Sequence, residues 1–186
     1  PCIAAKDYKK AGNGDTGPNT GGMGSVAPSP EFTAEHASDF EQNILEPTVK
    51  GLKAEGFSFK GIIFFGLMVT KKGTYLLEYN MRFGDPETQV LMALMENNLL
   101  DVINDCMEGK DIELKFKDEK AVCLVMCSGG YPRNIETGFE IVGEDKVKHS
   151  QLLYAGAIKK GDKVVSNGGR VLNIVATGAT YDDARK

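Results

Sequence analysis

The sequence is short of basic charge, histidine, paired cysteines and long apolar runs, and each shortage closes off a class of function. Its 22 Lys and Arg stand against 26 Asp and Glu, a net charge of −4. Without a basic excess there is little to release counterions from a phosphate backbone, so a nucleic-acid partner is not expected. The lysine pairs Lys71-Lys72 and Lys159-Lys160 sit at turn-like sites and read as solvated charges. The four cysteines, Cys2, Cys106, Cys123 and Cys127, form no C-x-x-C pair and have no histidine cluster beside them, which argues against a zinc site or a disulfide framework. Cys123 and Cys127 lie in an apolar run, where a free cysteine behaves as a small hydrophobe. Reduced cysteines suit the cytoplasm. No apolar stretch approaches the length of a membrane span, and the opening "PCIAAKDYKK" has no basic start before an apolar core, so no membrane partner and no signal peptide are expected. The two histidines, His36 in the first turn of an expected helix and His149 in a polar turn, carry no assigned catalytic role. No Ser-His-Asp or Cys-His arrangement is argued by spacing.

What is present divides the chain in two. Residues 9–31, "KKAGNGDTGPNTGGMGSVAPSPE", read as a long irregular segment rich in Gly, Asn, Pro and Thr. Thr33 caps a helix whose apolar residues Ala37, Phe40, Ile44, Leu45, Val49 and Leu52 recur at helical spacing, and Gly56 ends it. Pro47 inside that pattern predicts a kink or break near Leu45. Gly61–Thr70 reads as a buried strand, and Thr74–Asn80 as its hairpin partner after the "KKG" turn. Asp85-Pro86 opens the next helix, with Asp as cap and Pro at the first helical position. That helix buries Val90, Leu91, Leu94 and Met95. "LLDVINDCMEG" continues as a second helical piece. Beyond about residue 117 come short β-like runs, "AVCLVMCS", "FEIV", "QLLYAGAI", "KVVS" and "RVLNIVATG", with turn signals between them. The reading is two domains, 1–116 and 117–186, the second small and β-rich. The apolar opening reads like a strand end, and Thr180 with Asp183 caps a helix that the sequence only begins. The chain is therefore expected to be a piece of a longer polypeptide.

The chemistry concentrates in "LLEYNMRFGDPETQ", residues 76–89. In a strand, residues two apart share a face, so Glu78 and Asn80 point the same way, with Leu76 behind them and Tyr79 opposite. One carboxylate and one amide oxygen suit Mg²⁺, which keeps few protein ligands and completes its shell with water and phosphates. Arg82 follows on that face if the strand persists, placed for bidentate hydrogen bonds to phosphate or carboxylate. The helix start at Asp85–Glu87 adds free N–H groups and a positive dipole end. An ordinary Glu78–Arg82 ion pair, with Asn80 ending the strand, accounts for the same residue types equally well. "DTGPNTGGMG", residues 15–24, has glycines that let backbone N–H groups approach an anion. It is neither a P-loop nor a Rossmann fingerprint, and it reads as a structural turn just as readily.

"GDTGPNTGGMG" followed by "RFGDPETQ" resembles the glycinamide ribonucleotide synthetase family. "KDYKKAG", "GGYP" and "SNGGRVL" support the resemblance, which runs in order along nearly the whole chain. It implies an α+β fold: the second half of an ATP-grasp core, antiparallel strands with helices, followed by a small β-rich C-terminal domain. It implies an enzyme that phosphorylates the glycine carboxylate with ATP. The amine of 5-phosphoribosylamine then attacks the acyl phosphate, giving glycinamide ribonucleotide, ADP and phosphate. The family's Mg²⁺ (or Mn²⁺) ligands match Glu78 and Asn80. Arg82 is implied as the catalytic residue balancing charge on the transferring phosphoryl group. Asp15, Gly17, Pro18, Asn19, Thr20, Gly21, Gly22, Asp85 and Glu87 are implied as substrate-binding. Tyr8 departs from the family's D-H-K stretch and leaves position 8 without an imidazole. The partners implied are the small-molecule substrates, together with other purine-pathway domains where the parent is fused. Because the family's first ATP-grasp half is not represented, the chain by itself is expected to be inactive. Two rivals remain: another ATP-grasp carboxylate–amine ligase or carboxylase relative, and a non-catalytic module of a fused purine enzyme.

Overall fold

The computed structural model of the protein describes residues 3–186, and Cys2 lies outside them. In chain order the elements are β1 (Lys6–Asp7), β2 (Lys10–Gly12), β3 (Thr16–Asn19), β4 (Gly24–Ala27), α1 (Ala34–Phe40), a π-helical turn (Glu41–Leu45), α2 (Glu46–Ala54), β5 (Phe64–Thr70), β6 (Gly73–Asn80), α3 (Glu87–Leu94), α4 (Leu99–Glu108), β7 (Lys120–Cys127), β8 (Gln151–Tyr154), β9 (Ala157–Lys160), β10 (Lys163–Ser166), β11 (Arg170–Gly178) and α5 (Tyr181–Ala184). Every strand pairing is antiparallel and the helices lie outside the sheets, so the fold is α+β. No helix among the described residues is long and apolar enough to cross a membrane. The chain forms two compact units that alternate along the sequence, residues 1–4, 29–84 and 95–116 in the first, and 5–28, 85–94 and 117–186 in the second.

In the first unit Thr33 caps α1 in a reciprocal box. Its hydroxyl accepts the His36 N–H and its own N–H donates to His36 Nδ1 at 3.2 Å. His36 is thus a capping residue. The kink expected at Pro47 takes the form of the π-helical turn immediately before it. A proline cannot donate to the carbonyl four residues back and clashes with it, and a locally wider turn relieves both problems. Gly56, at φ +73°, ends the helix as expected. The helix rests on the β5–β6 hairpin with Phe40 edge-on to Phe65 (5.2 Å), which is itself edge-on to its cross-strand partner Tyr79 (5.5 Å). Asp39 accepts the Thr74 N–H at 2.7 Å, and this bond holds its carboxyl below the usual range. β5 starts at Phe64 rather than Gly61 and is half-buried rather than buried, because only its Phe65 and Leu67 face meets the helix. Asn98 caps α4 and Gly109 closes it in the left-handed region.

The second unit is built on a five-stranded sheet in the order β1-β4-β7-β11-β8. α3 packs against β4, β7 and β11, and α5 against β7 and β11. Val90 and Leu94 of α3 are fully buried, with Ala27, Ala121, Cys123, Val125 and Val175 from the sheet, while Leu91 is half-buried, as is Met95, which belongs to the first unit. Burial pushes the Cys123 thiol up to about 12, so it is inert packing. Two expectations fail here. Residues 9–31 are not irregular, since β2 and β3 form a hairpin and β4 enters the main sheet. Their Gly, Pro and Thr content hides the strands. The hairpin turn needs positive φ at Gly14 (+69°) and Asp15 (+59°), which those residue types accept. "FEIV" contributes only the isolated bridge Glu140–Val165, not a strand.

Candidate functional site

The end of β6 presents the first group of candidate residues. Glu78 and Asn80 do share a face, and the Asn80 amide donates to Glu78 Oε1 at 3.1 Å. Leu76 does not stand behind them. The pairing steps from Gly66–Glu78 to Leu67–Leu76, which leaves Leu77 as an extra, bulged residue. The bulge reverses the alternation, so Leu76 falls on the same side as Tyr79. There the two line an apolar cavity of about 510 Å³ with Ile44, Pro47 and Leu52. Thr48 and Tyr79 join their hydroxyls at 2.7 Å beside it. The opposite, open face carries Glu78 and Asn80. Arg82 lies beyond the last residue of β6, and its guanidinium donates to the Phe83 carbonyl at 2.8 Å. No group of three or more His, Cys, Asp or Glu suited to a metal occurs among the described residues. A two-ligand site is a different case. The Glu78 carboxylate and the Asn80 amide, side by side on the open face at 3.1 Å, are the hard oxygen donors that Mg²⁺ takes once the amide turns its oxygen toward the ion.

The second group lies in the other unit, around the glycine-rich loop. Asp15 is at the β2–β3 turn, Gly17, Pro18 and Asn19 are in β3, and Thr20, Gly21 and Gly22 lead to β4. The Thr20 hydroxyl donates to the Lys9 carbonyl at 2.8 Å and accepts the Gly22 N–H at 3.0 Å. Gly21 donates its N–H to the Tyr131 hydroxyl at 2.8 Å. Arg170 draws the group together, donating to the Gly21 carbonyl (2.9 Å), the Asp85 carbonyl (2.8 Å) and Asp85 Oδ2 (2.9 Å). Gly22, at φ +121°, packs so closely that a Cβ would lie 2.4 Å from Pro86 and 2.8 Å from Asp7 Oδ1. α3 begins at Glu87, and the Asp85 carboxylate just before it accepts from Arg170 at 2.9 Å and from Gln89 at 2.8 Å.

Beneath the loop three acids gather. Asp7 is almost wholly buried, with Lys9 on Oδ2 at 2.5 Å and no hydrogen-bond partner for Oδ1. Burial raises its pKa against the opposing pull of Lys9. Burial likewise raises Glu87, and the neighbouring Asp7 and Asp85 add to the effect. Sequence reasoning named Asp85 and Glu87 but missed Asp7, Tyr131 and Arg170. The stretches "GGYP" and "SNGGRVL", used only as supporting resemblance, hold those last two. Gly169 makes room for the Tyr131 ring, since a Cβ there would sit 2.4 Å from it.

Residues 1–88 match the family model described as "Phosphoribosylglycinamide synthetase, ATP-grasp (A) domain", and residues 121–186 match "Phosphoribosylglycinamide synthetase, C domain". The chain belongs to the phosphoribosylglycinamide synthetase family. Within it, the chain is 46% identical to the phosphoribosylamine–glycine ligase of Caldanaerobacter subterraneus, over 99% of this chain and 45% of that protein. It is 49% identical to the Fusobacterium nucleatum ligase, over 95% of this chain and 43% of that one. The crystal structure of the Thermotoga maritima phosphoribosylamine–glycine ligase superposes with a TM-score of 0.88 at 35% identity, covering 99% of this chain and 46% of that one. The chain thus spans about half the length of the curated phosphoribosylglycinamide synthetase relatives it matches.

Proposed function

We propose that these residues form part of an ATP-dependent carboxylate–amine ligase that joins glycine to 5-phosphoribosylamine, giving glycinamide ribonucleotide, ADP and phosphate through a glycyl phosphate. The observation that carries the proposal is the Glu78–Asn80 pair, side by side on the open face of a hairpin in a chain of this family. In this reading Glu78 and Asn80 hold Mg²⁺ or Mn²⁺, which supplies charge neutralisation to nucleotide phosphates. Arg82 exchanges its Phe83 carbonyl for an oxygen of the transferring phosphoryl group, an electrostatic role rather than a covalent one. The loop residues Asp15, Gly17, Pro18, Asn19, Thr20, Gly21 and Gly22, with Asp85 and Glu87, bind the substrates. Arg170 and Tyr131 fix the shape of that loop. Residues 1–116 are assigned to the later part of an ATP-grasp domain and 117–186 to the C-terminal domain. The setting is the cytoplasm, consistent with Cys106, Cys123 and Cys127 being free thiols. The partners are ATP, glycine and 5-phosphoribosylamine, with further purine-pathway domains where the parent is fused.

Because the chain spans about half of its relatives, it is assigned no turnover of its own. The test is a chimera in which these 186 residues replace the matching segment of the Caldanaerobacter ligase. ADP release that requires both glycine and 5-phosphoribosylamine supports the reading. Release driven by another carboxylate or amine would keep the fold and discard the substrates.

A further inference from the structure

We infer that Gly66 is a positioning residue for the Glu78–Asn80 pair: its missing Cβ is the space that Glu78 occupies to bring its carboxylate against Asn80. The inference rests on the proposed metal role of that pair. Gly66 is the cross-strand partner of Glu78, on the open face of the hairpin. A Cβ built on Gly66 would lie 2.9 Å from Glu78 Cγ and 3.7 Å from Oε1. The crowded atom is Cγ, near the root of the side chain, so Glu78 cannot yield by moving only its tip. It must leave its χ1 rotamer, and the carboxylate moves with it. Gly66 is not at a positive-φ position, and alanine suits a strand better than glycine does. The demand for glycine here comes from the neighbour and not from the backbone. The bulge at Leu77 is the second half of the device, since it sets Glu78 opposite Gly66 while Leu76 and Tyr79 stay on the helix side.

The probe is Mn²⁺ alone, titrated into the 186-residue chain and followed by paramagnetic broadening of backbone amide signals. In the unmodified chain, broadening centres on residues 66 and 78–80, and Glu78→Gln removes it. Gly66→Ala raises the Mn²⁺ concentration for half-broadening about 10-fold or more, the usual size of an effect on ligand orientation. The hairpin's other amide shifts stay in place. Equal midpoints for Gly66→Ala and the unmodified chain would overturn the inference and leave the metal reading standing. No broadening, or broadening that survives Glu78→Gln, would remove both. Independently of any variant, the Hα–Hβ couplings of Glu78 should report one χ1 rotamer. Averaged couplings would contradict the inference even if Gly66→Ala failed to fold.

Discussion

Arg170 makes three hydrogen bonds to groups 149 and 85 residues away in sequence. Its side chain is 23% exposed and that of Asp85 52%, so water competes for the ion pair, while the two bonds to carbonyls tie β11 to the glycine-rich loop and to the start of α3. Hydrogen bonds from a charged donor are worth about 1.5–3 kcal/mol when buried, and exposed ion pairs no more than about 1 kcal/mol, so the three together fall well short of the buried sum. Arg170→Ala should therefore destabilise the second unit by about 2 kcal/mol, seen as faster amide exchange along β11. Unchanged exchange would show the cluster to be ornamental. Asp7 and Glu87 carry the opposite sign. Burial raises both pKa values above the ordinary 3.8 and 4.5, so the folded chain binds more protons than the unfolded one in that interval. Stability must then fall as pH rises from the ordinary carboxylate range through the raised values. Glu87→Gln should raise the urea midpoint at pH 7 and leave it unchanged below the ordinary carboxylate range. The same midpoint shift at both pH values would mean the gain is packing rather than charge. Sequence could not show this cluster, since Asp7, Glu87 and Arg170 are joined only by the sheet order.

Individual elements were legible where local rules decide them. Thr33 and Thr180 cap helices as read from the sequence, and Gly56 ends one, because caps are short-range chemistry. Thr33→Ala should cost about 1 kcal/mol through loss of the capping box, measured as a lower thermal midpoint for the first unit. No change would mean His36 alone suffices. The hairpin was legible in its ends but not in its middle. Period-two alternation put Glu78 and Asn80 together correctly, yet it put Leu76 with them too. A bulge is one residue long and leaves no pattern in the apolar spacing. β2 and β3 were missed for a related reason. Gly, Pro and Thr dominate them, and their pairing depends on a turn whose φ values composition cannot reveal.

At the scale of the molecule, the family was legible from two motifs whose residues also fix the backbone. "GPNTGG" fills a space where a Cβ at Gly22 would strike Pro86, and "RFGDPETQ" supplies that proline and the Asp85 that Arg170 holds. The layout of the units was less legible. β1 and β4 join the C-terminal strands through pairings such as Val26–Val122, and α3 packs on the same sheet, which no local pattern announces. The central claim is that Glu78 and Asn80 hold the divalent cation. The measurement that tests it most directly is a Mg²⁺ titration of ADP release by the chimera, at saturating ATP, glycine and 5-phosphoribosylamine, beside Glu78→Ala and Asn80→Ala. Each variant should need at least about 10-fold more Mg²⁺ for half-maximal rate while the fold is retained. Unchanged Mg²⁺ dependence in both variants would contradict the account and return Glu78 to the part of an ordinary ion-pairing residue.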